Sequence, residues 1–135
     1  MAKRKEIRQF RIDMLKFFKA YKHKLGINPR WHITIEIRRK QGTFAEVQHC
    51  YKKRRFWIYV NDRLNGNINE LKDTIIHEFC HILLLPYTHA TEEIIYEHYN
   101  EKNHSPRRTL KKMENKEEAL VRKLTTIILR LDKHE

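Results

Sequence analysis

Five consecutive residues, His77-Glu78-Phe79-Cys80-His81, have the types and spacing that metal-assisted hydrolysis requires. Two histidines four apart on a helix project from one face, so their imidazole nitrogens can meet the same ion at about 2.0–2.1 Å. Glu78 directly follows the first histidine. On a helix this sets its carboxylate beside the ion's open position, where it can take a proton from water and later deliver it to a leaving amine. Zinc brings the pKa of its water to about 7, so a carboxylate is a sufficient base, and the ion also polarises the carbonyl under attack. The motif therefore predicts zinc held by His77 and His81, with Glu78 as the general base of peptide-bond hydrolysis. Cys80 reads as a small buried filler rather than a ligand.

A chain with nine histidines can match a five-residue pattern by chance, so the surrounding elements matter. Leu71, Ile75, Ile76, Phe79, Ile82 and Leu83 recur at three and four residues up to Pro86, with Asn67 or Asn69 as a plausible N-cap, which predicts a motif helix. Ile7 to Leu25 carries Ile7, Phe10, Ile12, Met14, Leu15, Phe17, Phe18 and Tyr21 at helical spacing, and Gly26 with Asn28-Pro29 supplies the stop. Trp31, Ile33, Ile35 and Ile37 alternate with His32, Thr34 and Glu36 as in a half-buried strand, followed by a turn at Gln41-Gly42. Ala45 to Tyr51 and Phe56 to Val60 read as two further strands joined through a basic hairpin, Lys52-Lys53-Arg54-Arg55. Asn61-Asp62 and Asn65-Gly66-Asn67 close this region. The strand Phe56 to Val60 would pair with an extended substrate only if it lay at the sheet edge. Downstream, Thr91 to Asn100 suggests a short helix and His104 to Arg108 a basic loop. Glu114 to Leu131 suggests a last amphipathic helix bearing Leu120, Val121, Leu124, Ile127, Ile128 and Leu131. This order predicts a single α+β domain over residues 1–135, with helices packed on a small, mostly antiparallel three-stranded sheet.

A catalytic zinc takes three protein ligands and one water, so a third ligand is expected downstream. Metzincin spacing requires glycine at position 84 and histidine at position 87, where this chain has Leu84 and Tyr87, and is excluded. Glu117 and Glu118, at the start of the last helix, are the candidates. Glu117 extends the apolar stripe through Leu120 and Leu124 directly. The two motif segments, His77 to Pro86 and Glu117-Glu118-Ala119-Leu120-Val121 with Leu124, resemble the gluzincins, and in particular their smallest members, the minigluzincin-like and phage-type metallopeptidases. That resemblance implies a zincin-like fold with a C-terminal glutamate helix. In that helix the ligand glutamate is followed by apolar residues two, six, nine and ten positions on. Counted from Glu118 these are Leu120, Leu124, Ile127 and Ile128, so the resemblance points to Glu118. Larger gluzincins place Asn before the ligand and Asp four after it, where this chain has Glu117 and Arg122. The His-Glu-x-Cys-His pattern also looks like the SprT-type proteases, which act on proteins bound to DNA. Their third ligand is a histidine followed by glycine; here the equivalent would be His98, followed by Tyr99, and there is no cysteine zinc ribbon.

Hydrophobic residues make up 40% and charged residues 34% of the 135 positions, with only three Gly and three Pro, a composition that favours an ordered fold over a disordered chain. No apolar run approaches the roughly 20 residues of a membrane span, and the first residues lack the apolar stretch of a secretory signal, so a cytoplasmic location is expected. Cys50 and Cys80 alone do not build a disulfide framework. The net charge of +12 is concentrated at Lys3 to Arg11, Arg38 to Lys40, Lys52 to Arg55 and Arg107 to Lys112. Such clusters either attract polyanions, nucleic acid among them, or serve as solvated faces. His89, His98 and His104 read as surface or loop residues. Tyr87, Tyr96 and Tyr99 are either oxyanion donors or packing aromatics.

Overall fold

The computed structural model describes residues 4–38, 44–102 and 105–133. Its elements are α1 (Arg4–Lys24), β1 (His32–Ile37), β2 (Ala45–Cys50), β3 (Arg55–Val60), α2 (Ile68–Lys102) and α3 (Arg107–Asp132), with single 3-10 turns at Tyr51–Lys53 and Asp62–Leu64. The expected turn at Gln41-Gly42, the position of His104 and parts of the first two basic clusters lie outside the described residues. The chain divides into two compact units, Met1–Ile82 and Leu83–Glu135.

In the first unit, α1 turns Phe10, Met14 and Tyr21 inward while Ile12 and Leu15 face solvent. The helix ends where Gly26 adopts a positive φ of 63°. The Gly26 amide then donates to the His23 carbonyl at 3.1 Å and the Ile27 amide to that of Lys22 at 3.2 Å, a Schellman arrangement. Glycine reaches that backbone region without a Cβ clash, which is why α1 stops there.

The three strands form one sheet in the order β1-β3-β2. β2 pairs with β3 antiparallel across the basic hairpin, whose Arg54 takes the left-handed turn conformation at φ 55°. β1 pairs with β3 parallel, His32 opposite Arg55 through Ile37 opposite Val60. The sheet is therefore mixed rather than mostly antiparallel. The reason lies in β3 itself. Phe56-Trp57-Ile58-Tyr59-Val60 is apolar without interruption, the pattern of a strand covered by neighbours on both sides, whereas β1 and β2 alternate with polar residues. Phe56, Ile58 and Val60 are fully buried, so β3 takes the centre with β1 and β2 on its two sides. A central β3 has no free edge on which an extended substrate could pair.

α2 begins with Asn67 as its N-cap: the side chain accepts from the Glu70 amide at 3.3 Å and the carbonyl from that of Leu71 at 3.0 Å. Leu71, Ile75, Ile76, Phe79 and Ile82 are buried. The Phe79 ring lies 5.5 Å from that of Phe18 on α1. The helix does not end at Pro86, and no separate helix begins at Thr91; one helix of 35 residues runs through both. A proline inside a helix removes one bond, here the one to the Ile82 carbonyl, but leaves the turns on either side able to continue.

In the second unit the rest of α2 and α3 are linked by hydrogen bonds between Thr88 and Glu117 at 3.1 Å and between the Tyr99 and Thr109 hydroxyls. α3 starts at Arg107, a turn and more before the expected Glu114. Its buried residues are Val121 and Thr125, while Leu120, Ile127 and Leu131 are exposed. Among the described residues no helix is long and apolar enough to cross a membrane.

Candidate metal centre

His77, Glu78 and His81 all sit on the best-packed stretch of α2. Ile75, Ile76, Phe79 and Ile82 anchor that stretch on the core side, which fixes the direction of the neighbouring positions. The two histidines are half-buried, and their rings stand 5.0 Å apart, edge to face. Glu78 is buried, with 7% of its surface exposed. Cys80, within the motif, is buried and forms no disulfide, as expected of a filler residue.

One group of three metal-capable side chains is found among the described residues: His77, His81 and Glu118, each offering a ligand atom within 4.8 Å of the others. Donors about 2.0–2.2 Å from a tetrahedral zinc are roughly 3.3 Å apart, a spacing that lies within the 4.8 Å limit of this group. Two imidazoles and one carboxylate are also the chemistry that zinc prefers in a site keeping one position open for water. The residues present fit the ion.

The neighbouring glutamate behaves differently. Glu117 accepts a hydrogen bond from the Thr88 hydroxyl at 3.1 Å and is not in the group. The metal-capable group thus includes Glu118 and not Glu117, and the face argument that favoured Glu117 does not describe α3. Leu120 is 45% exposed, and the buried line on α3 instead runs through Val121 and Thr125, three and seven residues after Glu118. The same exposure shows that the apolar positions two and nine after Glu118, Leu120 and Ile127, do not form the buried face of α3.

Two contacts to these glutamates were not singled out from the sequence. Thr88 engages Glu117, a pairing across 29 residues that no local pattern announces. Arg122 places its Nε 3.7 Å from the Glu118 carboxylate. That pair is legible in principle, because glutamate and arginine four apart on a helix face each other. Its side chains are 75% and 37% exposed, so solvent screens the pair and it adds little to stability.

The remaining candidates lie elsewhere. His98 is exposed on α2, its ring 5.3 Å from that of Tyr99. His89 contacts Glu93 at 3.1 Å in an i,i+4 pair. Tyr87 is 73% exposed, Tyr96 is exposed, and the Tyr99 hydroxyl is engaged by Thr109. A scan against protein-family models, a search of curated proteins and a search of solved structures find no match to this chain. The reading of the site accordingly rests on its own residues.

Proposed function

We propose that the protein is a zinc-dependent metallopeptidase of gluzincin type with a zincin-like fold, in which His77, His81 and Glu118 hold the ion and Glu78 is the catalytic base. The observation that carries this reading is the convergence of two histidines from one helix and a glutamate from another on a single group, with a buried glutamate directly after the first histidine. Zinc, when bound, supplies a Lewis acid that acidifies water and polarises the peptide carbonyl. The protein supplies the rest. Glu78 accepts the proton of the attacking water and returns it to the departing amine, two transfers that one carboxylate can make because it is protonated between them. Its burial limits exchange of that proton with bulk solvent and holds the carboxylate in one place. The packing of Phe79 and Ile82 holds the two imidazoles in register, so that little ordering is required when the ion binds.

The SprT-type alternative calls on His98 as the third ligand. Residues 17 apart on one helix are about 25 Å apart along its axis, which favours Glu118 over His98 as the partner of His81. The test of the peptidase reading is Glu78→Gln in the zinc-loaded protein. Turnover of a denatured or peptide substrate falls by at least about 100-fold while zinc is retained, because the base is lost and the ligands are not. Full turnover in that variant would overturn the assignment.

A further inference from the structure

The two faces of the sheet are unlike. Phe56, Ile58 and Val60 point into the core. The opposite face presents three ranks, each taken across β1, β3 and β2: His32, Arg55 and Cys50; then Thr34, Trp57 and Gln48; then Glu36, Tyr59 and Glu46. His32, Thr34, Glu36, Gln48 and Arg55 are exposed, and Trp57 and Tyr59 are only half-buried. A solvent-facing side of a sheet ordinarily carries polar residues, so two large aromatics at alternate positions of its central strand are a departure that calls for a reason.

Charged residues stand at both ends of this face. At one end stand Arg55 and the hairpin residues Lys52, Lys53 and Arg54, all exposed. At the other end Glu46 is matched by Arg38 at 3.5 Å, and the Arg38 guanidinium lies 4.3 Å over the Tyr59 ring. Glu36 remains exposed there. Between the ends, Trp57 is flanked by Thr34 and Gln48, uncharged groups that both donate and accept hydrogen bonds. A flat aromatic ring beside hydrogen-bonding side chains, with the exposed cations of the hairpin at one end and Arg38 at the other, matches an unpaired base with phosphates flanking it. Duplex nucleic acid hides its base faces and could use only the cations.

We infer that this outer face of the sheet binds single-stranded nucleic acid, one base stacking on Trp57 between Thr34 and Gln48 while Lys52, Lys53 and Arg55 hold the flanking phosphates. Tyr59 with its stacked Arg38 forms the adjoining planar surface, two residues or about 6.6 Å along the strand. The inference is independent of the metal centre, and binding persists in a chelator.

The test uses the full chain with Trp31→Phe, which leaves Trp57 as the only tryptophan. Labelled oligo-dT and oligo-U of about 12 nucleotides, and a duplex of equal length, are titrated in EDTA at about 50 mM salt. Single strands raise the anisotropy and quench Trp57 in step with it, and the duplex binds more weakly. Trp57→Ala weakens single-strand binding about tenfold or more, Trp57→Phe recovers most of it, and Lys52→Gln with Lys53→Gln reduces the slope of log K against log salt by about 1.4. Trp57 emission that stays constant at saturation, a duplex bound as tightly as a single strand, or absence of binding at low salt overturns the inference. The quenching reads the native Trp57, so it decides the matter even where Trp57→Ala fails to fold.

Discussion

The two halves of α2 have the same backbone and opposite environments. Upstream of Pro86, Leu71, Ile75, Ile76, Phe79 and Ile82 are all but fully buried, and the histidine pair rides on them. Downstream, Tyr87, Ile94 and Tyr96 are exposed, and the helix is joined to α3 by the Thr88–Glu117 and Tyr99–Thr109 hydrogen bonds. Burial of this kind contributes about 1.5–3 kcal/mol per large apolar side chain, and a hydrogen bond about 0.5–1.5 kcal/mol net. The histidine pair therefore sits on the stable half of the helix. Glu118 sits on α3, whose buried residues are Val121 and Thr125.

The sharpest break between the halves should come from matched truncations. Phe79→Ala removes a fully buried ring and is expected to cost about 3–5 kcal/mol in urea unfolding, whereas Ile94→Ala, at a position 67% exposed, should stay within about 0.5 kcal/mol. Pro86→Ala restores the missing bond to the Ile82 carbonyl and should stabilise the protein, by up to about 3 kcal/mol, read as a higher urea midpoint. A loss of stability would mean that the proline ring packs better than an alanine can. Asn67→Ala deletes the cap of the stable half and should cost about 1 kcal/mol. Arg122→Ala should cost less than about 1 kcal/mol and leave zinc content unchanged, because the pair with Glu118 is solvent-exposed.

What the sequence disclosed follows the range of the forces involved. The motif helix, its cap at one of two asparagines, the glycine stop of α1 and the basic hairpin are local, and each was readable from a few adjacent residues. The centre of the sheet was harder. A mostly antiparallel sheet was expected, and the parallel pairing of β1 with β3 becomes visible only when the unbroken apolar run Phe56 to Val60 is taken as the mark of a central strand. Pro86 misled because a proline ordinarily ends a helix, while here the turns around it continue. The third member of the metal group was narrowed to two adjacent glutamates. Of the two, only Glu118 is grouped with the histidines, and the buried residues of α3, Val121 and Thr125, are not the ones that the apolar Leu120 and Ile127 suggest in the sequence.

The most direct test of the metal centre is the zinc content of the purified, reconstituted protein beside His81→Ala, Glu118→Ala and Glu117→Ala, each checked for helical content. About one zinc per chain is expected in the unmodified protein and in Glu117→Ala, with zinc lost from the His81 and Glu118 variants. Zinc lost with Glu117 instead of Glu118, or no zinc in the unmodified protein after reconstitution, would contradict the grouping of His77, His81 and Glu118 as a metal site.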